Sequence, residues 1–393
     1  MSADRRGPRI MLVAGEASGD ALGGGLLAEL RERFPGLEAF GVGGERMVAQ
    51  GLRGLGDVND LSVIGLVEVI RRLPGLLRMY RRLVDLMQRE RPDLLVTIDL
   101  PDFNFLLARR AKALSIPRIH YVGPQLWAWR RGRLKRLARL LDHVLLLLPF
   151  EAAYYAGSGL PVSFVGHPLA ARPLPDASEV ARMRADLGLA GEERLVVLLP
   201  GSRLAELKRH LGIMVSAALR LHQEGGVRCA LALAETMLPE DLDRVMTAHP
   251  DPAARAFFRQ IAVRRGATRL LLAAADAAMV ASGTATLEAA LIGTPMTVMY
   301  RVNWLTYQIG RRVIRVEHIA LPNLVAGRGL VPERIQGEAR PEVLAEDVRG
   351  LLHDPECARR QREGFREIRR ALAVPSRSAG AVIADWLHGA RGA

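Results

Sequence analysis

Short apolar runs alternate along the chain with longer segments of helical periodicity. Apolar runs bounded by glycine, proline or polar residues predict buried strands, and strands that alternate with helices predict a parallel sheet covered by helices on both faces. In the first half of the chain the predicted strands are 9–14, 39–42, 94–98, 118–122, 144–148 and 162–165. In the second half they are 194–199, 228–233, 260–263, 278–281 and 296–300.

A proline-rich stretch separates the two sets of predicted strands. Residues 167–178 read HPLAARPLPDAS, lack periodicity and predict a linker. On either side of it, RIMLVAGEASGDAL and RLVVLLPGSRLAEL share a plan of strand, glycine, serine and helix. The chain is therefore predicted to be an α/β protein with Rossmann-like domains over 1–170 and 176–345, followed by a mostly helical tail over 346–393.

The length and cysteine content indicate the number of domains and the compartment of the protein. A chain of 393 residues is long for a single core and favours two domains. Cys229 and Cys357 lack the paired spacing of a zinc or redox motif, which fits a reducing compartment and a cytoplasmic protein. The start of the chain does not have the pattern of a secretory signal, and no apolar run approaches the ~20 residues of a membrane-spanning helix.

The formal net charge of +13 indicates an anionic partner, for which nucleic acid, nucleotide sugars and anionic lipid all qualify. The charge is uneven, because residues 103–141 contain no Asp or Glu. Solvated helix faces are the ordinary explanation for such a run. The basic residues inside it are Arg109, Arg110, Lys112, Arg118, Arg130, Arg131, Arg133, Lys135, Arg136 and Arg139.

Two turns in the first half carry candidate chemistry. Gly15–Asp20 joins a strand to a helix with Ser18 as its expected N-cap, and the carboxylate of Glu16 lies where α/β proteins bind ligands. Asp99 closes another apolar strand, at the carboxyl edge of the sheet, where a buried carboxylate can act as a general base on a sugar hydroxyl. Asp102 is the expected N-cap of the next helix.

Two turns in the second half suit a diphosphate. Segment 281–290 reads ASGTATLEAA, so small hydroxyl residues and glycine end a strand before a helix begins. Glu288 follows one turn into that helix, where it could bind ribose hydroxyls. The turn 200–203 adds the guanidinium of Arg203 for charge on a phosphate leaving group. The ordinary alternative is a pair of capped helices.

Three further segments are explained at least as well by an ordinary structural role as by a functional one. The connection HYVGPQLWAWR holds two of the four tryptophans, and His120 within it is expected to be a packed core residue. The apolar stretch 61–70 beside several arginines fits either a core helix or a lipid interface. Asp241-Leu242-Asp243 formally reads D-x-D, but its place at a helix start implies solvated acids and no metal.

The ordered motifs of the chain closely resemble the lipid-A-disaccharide synthase family. The resemblance implies a glycosyltransferase B-type fold with an interdomain cleft, in which Asp99 faces Glu288 and Arg203. It further implies an inverting reaction of UDP-2,3-diacylglucosamine with 2,3-diacylglucosamine 1-phosphate that gives the β-1,6-linked disaccharide 1-phosphate and UDP, without metal or cofactor. The matching segments are AGEASGD, GVGG, IDLPDFN, HYVGPQLWAWR, LLPFE, FVGHPL, LLPGSR, ASGTATLEAALIGTPM, YRVNWLTY, LPNLVAGRGLVP and ERIQ.

The resemblance also implies roles for individual residues. Asp99 would be the general base for the acceptor 6-hydroxyl, with Glu16 and Ser18 on the acceptor side. Asn323 and Gln336 would help to close the donor pocket. The residues that would contact UDP are Arg203, Ser282, Gly283, Thr284, Thr286 and Glu288.

Membrane association follows only from the resemblance. The resemblance implies that the basic run 103–141 and the stretch 63–70 form a peripheral site for an anionic bilayer. This bilayer would be the cytoplasmic face of the inner membrane. The resemblance also implies that the helical tail crosses back onto the N-terminal domain or swaps into the partner of a homodimer. Nucleic acid is not an expected partner.

Two other functions stay open from the residues. A soluble UDP-N-acetylglucosamine epimerase or a related transferase would share the fold and act on a non-acylated sugar nucleotide. A basic, non-catalytic module for lipid or nucleic acid would bind in a strongly salt-dependent way and release no UDP. The sequence lacks a stacking motif of the RNA-binding type, which gives that module little support.

Overall fold

The computed structural model describes residues 7–56, 66–124, 134–189, 192–303, 307–308, 317–373 and 377–392, without the side chains of residue 17, residues 66–72 and residues 390–392. Outside what is described lie residues 63–65 of the predicted lipid-facing stretch, the side chains of its residues 66–70, and the tryptophans of the HYVGPQLWAWR segment with Arg130, Arg131 and Arg133. Two compact units are present, Met1–Pro168 with Val374–Ala393, and Leu169–Ala373.

The first unit is built on a seven-stranded parallel sheet in the order β3-β2-β1-β4-β5-β6-β7. The central strands are buried along their whole length because helices cover both faces, which is why they read as unbroken apolar runs. The strands are β1 Arg9–Ala14, β2 Glu38–Val42, β3 Arg53–Gly56, β4 Leu94–Ile98, β5 Arg118–Tyr121, β6 His143–Leu146 and β7 Val162–Phe164.

The helices around this sheet are α1 Ala17–Arg33, α2 Glu45–Ala49, α3 Leu66–Glu90, α4 Pro101–Ala113, α5 Leu134–Ala138 and α6 Ala152–Tyr155. A short helix, α7 Pro168–Ala171, lies at the boundary between the two units, within the predicted linker. None of the described helices combines the length and the apolar composition that crossing a bilayer requires.

The second unit repeats the architecture with six parallel strands in the order β10-β9-β8-β11-β12-β13. Its strands are β8 Arg194–Leu199, β9 Val227–Leu233, β10 Ala262–Arg265, β11 Ala277–Ala281, β12 Met296–Tyr300 and β13 Glu333–Ile335. Its helices are α8 Ala177–Asp186, α9 Leu204–Gln223, α10 Pro239–Thr247, α11 Pro252–Phe258, α12 Thr268–Ala274, α13 Thr284–Ile292, α14 Leu321–Ala326, α15 Pro341–His353 and α16 Pro355–Ala373.

The C-terminal tail divides between the two units. Helix α15 buries Leu344 and Val348 in the same core cluster as Leu211 of α9, so it belongs to the second unit. The final helix, α17 Ala379–Gly392, buries Ile383 against the core of the first unit, where it packs on α1. The structural boundary therefore falls near residue 374 and differs from the one predicted at 346, because the apolar face of α15 fits the second core.

The structure corrects several local predictions. Helix α1 begins at Ala17 with Glu16 in the N-cap position, so Ser18 is not the cap. Helix α4 begins at Pro101 with Leu100 in that position, because proline is favoured at the first helical residue, so Asp102 is not the cap. Strands β3 and β13 were not predicted, since they are short edge strands without an apolar run.

Asp20 holds the loop after β2 against helix α1. Its buried carboxylate accepts the backbone N–H groups of Gly44 at 2.8 Å, Arg46 at 3.1 Å and Met47 at 3.0 Å. The carboxylate therefore caps the start of α2 from a distance in the sequence, as the favourable interaction of an acid with free helical N–H groups predicts. The last residue of the AGEASGD segment thus has a structural role.

Replacing Asp20 with Ala is expected to lower the free energy of unfolding of the first unit by about 2–4 kcal/mol, since buried donors lose a charged acceptor. Denaturant titration followed by circular dichroism measures the change. Asp20→Asn keeps one acceptor oxygen and should lose less. The exposed Glu45→Gln at the start of the same helix is the control and should stay within about 0.5 kcal/mol of the parent. An unchanged midpoint for Asp20→Ala contradicts the capping role.

Candidate active site

In each sheet the strand order reverses once, between β1 and β4 in the first unit and between β8 and β11 in the second. Open α/β sheets bind ligands outside the carboxyl ends of the strands at such a reversal. Glu16 follows β1 and Asp99 follows β4, while Arg203 follows β8 and Ser282 follows β11. Each unit therefore presents these predicted site residues near its own switch point.

Asp99 leaves β4 in an unusual backbone conformation. Asp99 and Leu100 both lie in the left-handed region, with φ of 54° and 44°. Adjacent non-glycine residues seldom adopt this region, and such strain is retained where the surroundings hold it in place. The Asp99 N–H donates to the Tyr121 carbonyl at 3.0 Å, which fixes the residue to the next strand.

Within the described part of the chain, the carboxyl group of Asp99 is bonded to the backbone of its own turn. Its Oδ1 atom accepts the Leu100 N–H at 2.9 Å. Burial raises the pKa of this carboxyl above its usual range, and the hydrogen bond from Leu100 offsets part of that shift. A carboxylate with a raised pKa is a better proton acceptor near neutral pH, which is the property a general base needs.

Asn104 supports this turn and was not predicted as a site residue. Its buried Nδ2 atom donates to the carbonyls of Ile98 at 3.3 Å and Asp99 at 2.7 Å. The amide therefore binds the two carbonyls at the start of the strained bend. The sequence offered one signal for this role, which is the place of Asn104 in the IDLPDFN segment. An asparagine in the first turn of a helix can bond back to the preceding loop.

The loop after β1 lies directly beside this bend. In the parallel register Ala14 pairs with Ile98, which brings Gly15 next to Leu100. A Cβ atom on Gly15 would meet the Leu100 side chain at 2.6 Å, so a larger residue there would displace the bend. Glu16 is partly buried at the N-cap of α1, and Ser18 is exposed in the first turn. The structure thus brings Glu16, Ser18 and Asp99 to one edge of the first sheet.

His120 lies behind this edge as a core residue, as expected. It is completely buried, and its Nδ1 atom lies 2.8 Å from the Thr97 hydroxyl. Burial lowers the pKa of His120 to about 3, so the imidazole is neutral.

The turn after β8 exposes Arg203 and is organised by an acid that the sequence did not single out. The Oε2 atom of Glu206 accepts the Ser202 N–H at 3.0 Å. Its other oxygen lies 3.6 Å from the Arg203 guanidinium, which stays half exposed. Gly201 has φ of 122°, a value that glycine tolerates best. An anionic ligand at this turn would meet the Arg203 side chain rather than the Ser202 amide.

The turn after β11 also depends on a glycine conformation. Gly283 has φ of 154° and ψ of −165°, a region used almost only by glycine, and it is the N-cap residue of α13. The Thr286 hydroxyl donates to the Gly283 carbonyl at 2.7 Å, and the Ser282 hydroxyl donates to the Ile319 carbonyl at 3.3 Å. Thr284 is exposed at the first position of the helix, where backbone N–H groups favour an anion.

Glu288 lies on α13 with only 17% of its side chain exposed. Its Oε1 atom is 3.7 Å from an Nη atom of Arg269, whose other Nη donates to the Pro173 carbonyl at 2.7 Å. Arg269 therefore holds the carboxylate in one orientation. No sequence pattern singles out Arg269 as this partner.

His210 connects two loops at the carboxyl edge of the second sheet. Its Nδ1 atom lies 2.9 Å from the Pro200 carbonyl, and its Nε2 atom accepts the Arg301 N–H at 3.0 Å. Burial lowers the pKa of His210, consistent with a neutral ring that donates through Nδ1 and accepts through Nε2. The turn before Arg203 and the segment after β12 are thereby joined.

Gln336 holds the same segment from the other side. It has φ of 52°, and its side-chain amide makes two hydrogen bonds of 3.2 Å with the backbone of Val302. Gln336 also lines a cavity of about 650 Å³ together with Lys208, Arg209 and Arg301, so that the cavity wall is basic. Gln336 is therefore near a region suited to anions, but its amide is engaged with the chain, and its predicted part in closing the donor pocket stays a prediction.

Asn323 is buried away from solvent. Its Oδ1 atom accepts the N–H groups of Leu330 at 2.7 Å and Val331 at 2.8 Å. Its Nδ2 atom donates to the Val331 carbonyl at 2.9 Å and to Glu333 at 2.7 Å. The geometry thus gives Asn323 a structural role in the loop between α14 and β13, and its predicted donor contact stays a prediction.

Metal binding was not expected, and among the described residues no three His, Cys, Asp or Glu side chains are grouped as a metal site would need.

Comparison with known proteins identifies the family. The family model for lipid-A-disaccharide synthetase matches residues 10–385. The chain belongs to the lipid-A-disaccharide synthetase family. The lipid-A-disaccharide synthase of Alkalilimnicola ehrlichii is 44% identical over 393 residues, covering 96% of this chain and 98% of the relative. That of Pseudomonas aeruginosa strain UCBPP-PA14 is 44% identical over 368 residues, covering 93% and 94%. As a member of this family, the protein is a glycosyltransferase of lipid A biosynthesis.

Solved structures confirm the fold prediction. The UDP-GlcNAc 2-epimerase from Neisseria meningitidis bound to UDP-GlcNAc has a TM-score of 0.65 at 13% identity, covering 97% of this chain and all of that chain (100%). A glycosyltransferase from Rickettsia africae has a TM-score of 0.59 at 11% identity and covers 99% of both chains. At this identity the likeness shows the glycosyltransferase B-type fold alone, and the family assignment rests on the closer relatives.

Proposed function

We propose that the protein transfers the diacylglucosaminyl group of UDP-2,3-diacylglucosamine to the 6-hydroxyl of 2,3-diacylglucosamine 1-phosphate. The products are the β-1,6-linked disaccharide 1-phosphate and UDP. The observation that carries the proposal is the partly buried carboxyl of Asp99 at the switch point of the first sheet, with its pKa raised by that burial. Membership of the lipid-A-disaccharide synthetase family supports the choice of acylated sugars.

In the proposed step, Asp99 removes the proton of the acceptor 6-hydroxyl. At the same time the oxygen of that hydroxyl forms a bond to the anomeric carbon of the donor. The bond between that carbon and the β-phosphate oxygen breaks, and UDP departs with the electron pair. Attack opposite the leaving group inverts the anomeric centre. Asp99 then passes its proton to solvent. Glu16 and Ser18, at the same sheet edge, contribute to the acceptor side.

The second unit is proposed to bind the nucleotide. Thr284 and the positive N-terminal end of the α13 dipole favour the diphosphate, and Arg203 neutralises charge on the departing UDP. Ser282, Gly283 and Thr286 shape that turn. Glu288, held by Arg269, accepts ribose hydroxyls. A solved structure of the same fold holds UDP-GlcNAc, which supports a sugar nucleotide as the ligand.

The proposal is tested by mixing the purified protein with both acylated substrates in detergent and detecting products by mass spectrometry. Equal amounts of disaccharide 1-phosphate and UDP are expected, with β configuration at the new linkage by nuclear magnetic resonance. A parallel reaction contains UDP-GlcNAc without lipid. Turnover in that reaction, with no disaccharide in the first, would favour the epimerase alternative instead.

Arg203→Gln is expected to lower kcat/KM by about tenfold to a hundredfold, because a charged hydrogen bond to phosphate contributes about 1.5–3 kcal/mol. Steady-state kinetics with varied UDP-sugar measures the effect. Arg259→Gln removes another exposed arginine from the same unit and should behave as the parent. Equal kinetics for Arg203→Gln and the parent would remove Arg203 from the donor site.

We also propose that the protein acts on the cytoplasmic surface of the inner membrane, where acylated substrates are embedded. The basic residues of the 103–141 run support an anionic bilayer as the partner. Flotation of the protein with cell membranes that is reversed by high salt would agree with this location. Recovery of all protein in the soluble fraction at low salt would contradict it.

A further inference from the structure

Helices α4 and α5 of the first unit enclose a groove of about 240 Å³. Its floor is apolar and is formed by Phe105, Leu106, Leu137 and Leu140. Leu137 and Leu140 are buried in a core cluster with Ala108, so the floor is fixed by packing. Leu106 is different, because 46% of it is exposed to solvent. The groove thus presents hydrocarbon at the protein surface on a rigid base.

Two arginines line the same groove. Arg109 of α4 and Arg136 of α5 are both exposed. Asp102 also lines the groove, but it lies seven residues before Arg109 on the helix, which is about 10 Å along the axis. The first acid after the basic run is Asp142, and it is already paired with Arg118 at 2.5 Å. With two arginines and one aspartate, the lining of the groove has a net positive charge.

The surroundings extend this charge and hold the two helices together. The Lys112 ammonium donates to the Arg139 carbonyl at 2.5 Å, which ties the end of α4 to the segment that follows α5. Arg110 and Lys135 are exposed nearby in the sequence. An apolar floor in a groove of net positive charge is complementary to a molecule that has a hydrocarbon chain and a phosphate group.

We propose that this groove binds an anionic glycerophospholipid of the bilayer surface, with part of one acyl chain on the apolar floor and the phosphate between Arg109 and Arg136. Planar guanidinium groups bind phosphate oxygens in pairs, which suits this headgroup. A nucleic acid would use the arginines but not Leu106 or the floor beneath it. The inference rests on the proposed membrane association and is independent of the role of Asp99.

Binding of the full-length protein to vesicles tests the proposal. Vesicles of phosphatidylcholine are compared with vesicles that also contain phosphatidylglycerol, and bound protein is measured by sedimentation. The parent is expected to bind the anionic vesicles and to bind phosphatidylcholine much more weakly. The double variant Arg109→Gln, Arg136→Gln is expected to bind the anionic vesicles about tenfold or more weakly. Leu106→Asn should also lose binding, by about fivefold to tenfold.

Matched controls separate the groove from general charge and hydrophobicity. Arg360→Gln with Arg366→Gln removes two exposed arginines from α16, and Leu238→Asn removes a leucine that is 53% exposed in the second unit. Both controls should bind as the parent does. If the control pair loses as much binding as the groove pair, net charge alone explains the attraction and the proposal fails. It also fails if the groove variants bind as the parent does.

Detergent kinetics distinguish the bilayer from the acceptor lipid. An increase in the acceptor KM of the groove variants in micelles, with vesicle binding unchanged, would place the acceptor in the groove and overturn the proposal. Formation of disaccharide by the parent in micelles reports on the proposed function alone. Failure of the parent to bind vesicles while it forms product would therefore reject the groove and leave the transferase function in place.

Discussion

Replacing Asp99 with Asn is expected to reduce turnover by about a thousandfold, because general base catalysis contributes roughly 10²–10⁴ to rate. The amide has nearly the same shape and its oxygen can still accept the Leu100 N–H, but it cannot take a proton from the acceptor hydroxyl. Asparagine also tolerates the left-handed conformation found at this position. The affinity for UDP should stay unchanged in calorimetry, since the nucleotide is proposed to bind the other unit.

The pH dependence gives a second measurement of the same role. Burial raises the pKa of Asp99, and the base must be ionised to act, so activity should fall as pH decreases through that raised value. The acidic limb of the kcat/KM profile should therefore lie above the usual range for an aspartate, and the residual activity of Asp99→Asn should lack it. Near-parental turnover in the variant, or an unchanged acidic limb, would remove Asp99 as the base.

Stability separates loss of chemistry from loss of structure. A carboxyl with a raised pKa in the folded state contributes stability below the unfolded-state pKa, and that contribution is lost as pH rises through the folded-state pKa. At neutral pH the ionised Asp99 is therefore a destabilising group, and Asp99→Asn should be as stable as the parent or slightly more stable. A large decrease in melting temperature would show that the loss of turnover has a structural cause.

The fold was predictable from sequence where burial is complete. Strands such as β1, β4 and β8 are covered on both faces, so their residues form unbroken apolar runs that local pattern detects. The edge strands β3 and β13 contain RGLG and ERI, and their formation depends on pairing with a neighbouring strand rather than on composition. Tertiary contacts likewise decided that α15 joins the second core.

The candidate site was predictable in the same limited way. Asp99, Glu16, Arg203 and Ser282 lie in the turns that follow apolar strands, so the rule for carboxyl edges of parallel sheets finds them without coordinates. Residues that act through contacts distant in sequence are not visible to such a rule. Arg269 meets Glu288 from another helix, and His210 bonds to Arg301 across 91 positions. Only the folded arrangement reveals them.

Asn323 lies in a family motif, but its contacts in the structure are all with the chain itself. Asn323→Ala is expected to lower the free energy of unfolding by about 3–5 kcal/mol. The substitution leaves the buried N–H groups of Leu330 and Val331 without an acceptor, and each such loss costs about 1–3 kcal/mol. It also removes a hydrogen bond to Glu333. The carboxylate of Glu333 also accepts the N–H groups of Ile319 and Ala320, just before α14. The loop before β13 should loosen as a result.

Thermal unfolding followed by circular dichroism measures this change, and a decrease of about 10 °C is expected for a unit of this size. Gln260→Ala removes an exposed amide from the same unit and should change the stability by less than about 0.5 kcal/mol. Saturating UDP should bind the folded fraction of Asn323→Ala with the parental affinity, because the amide is fully engaged with the chain. If the melting temperature is unchanged while the KM for the UDP-sugar rises more than tenfold, Asn323 contacts the donor and its structural role is wrong.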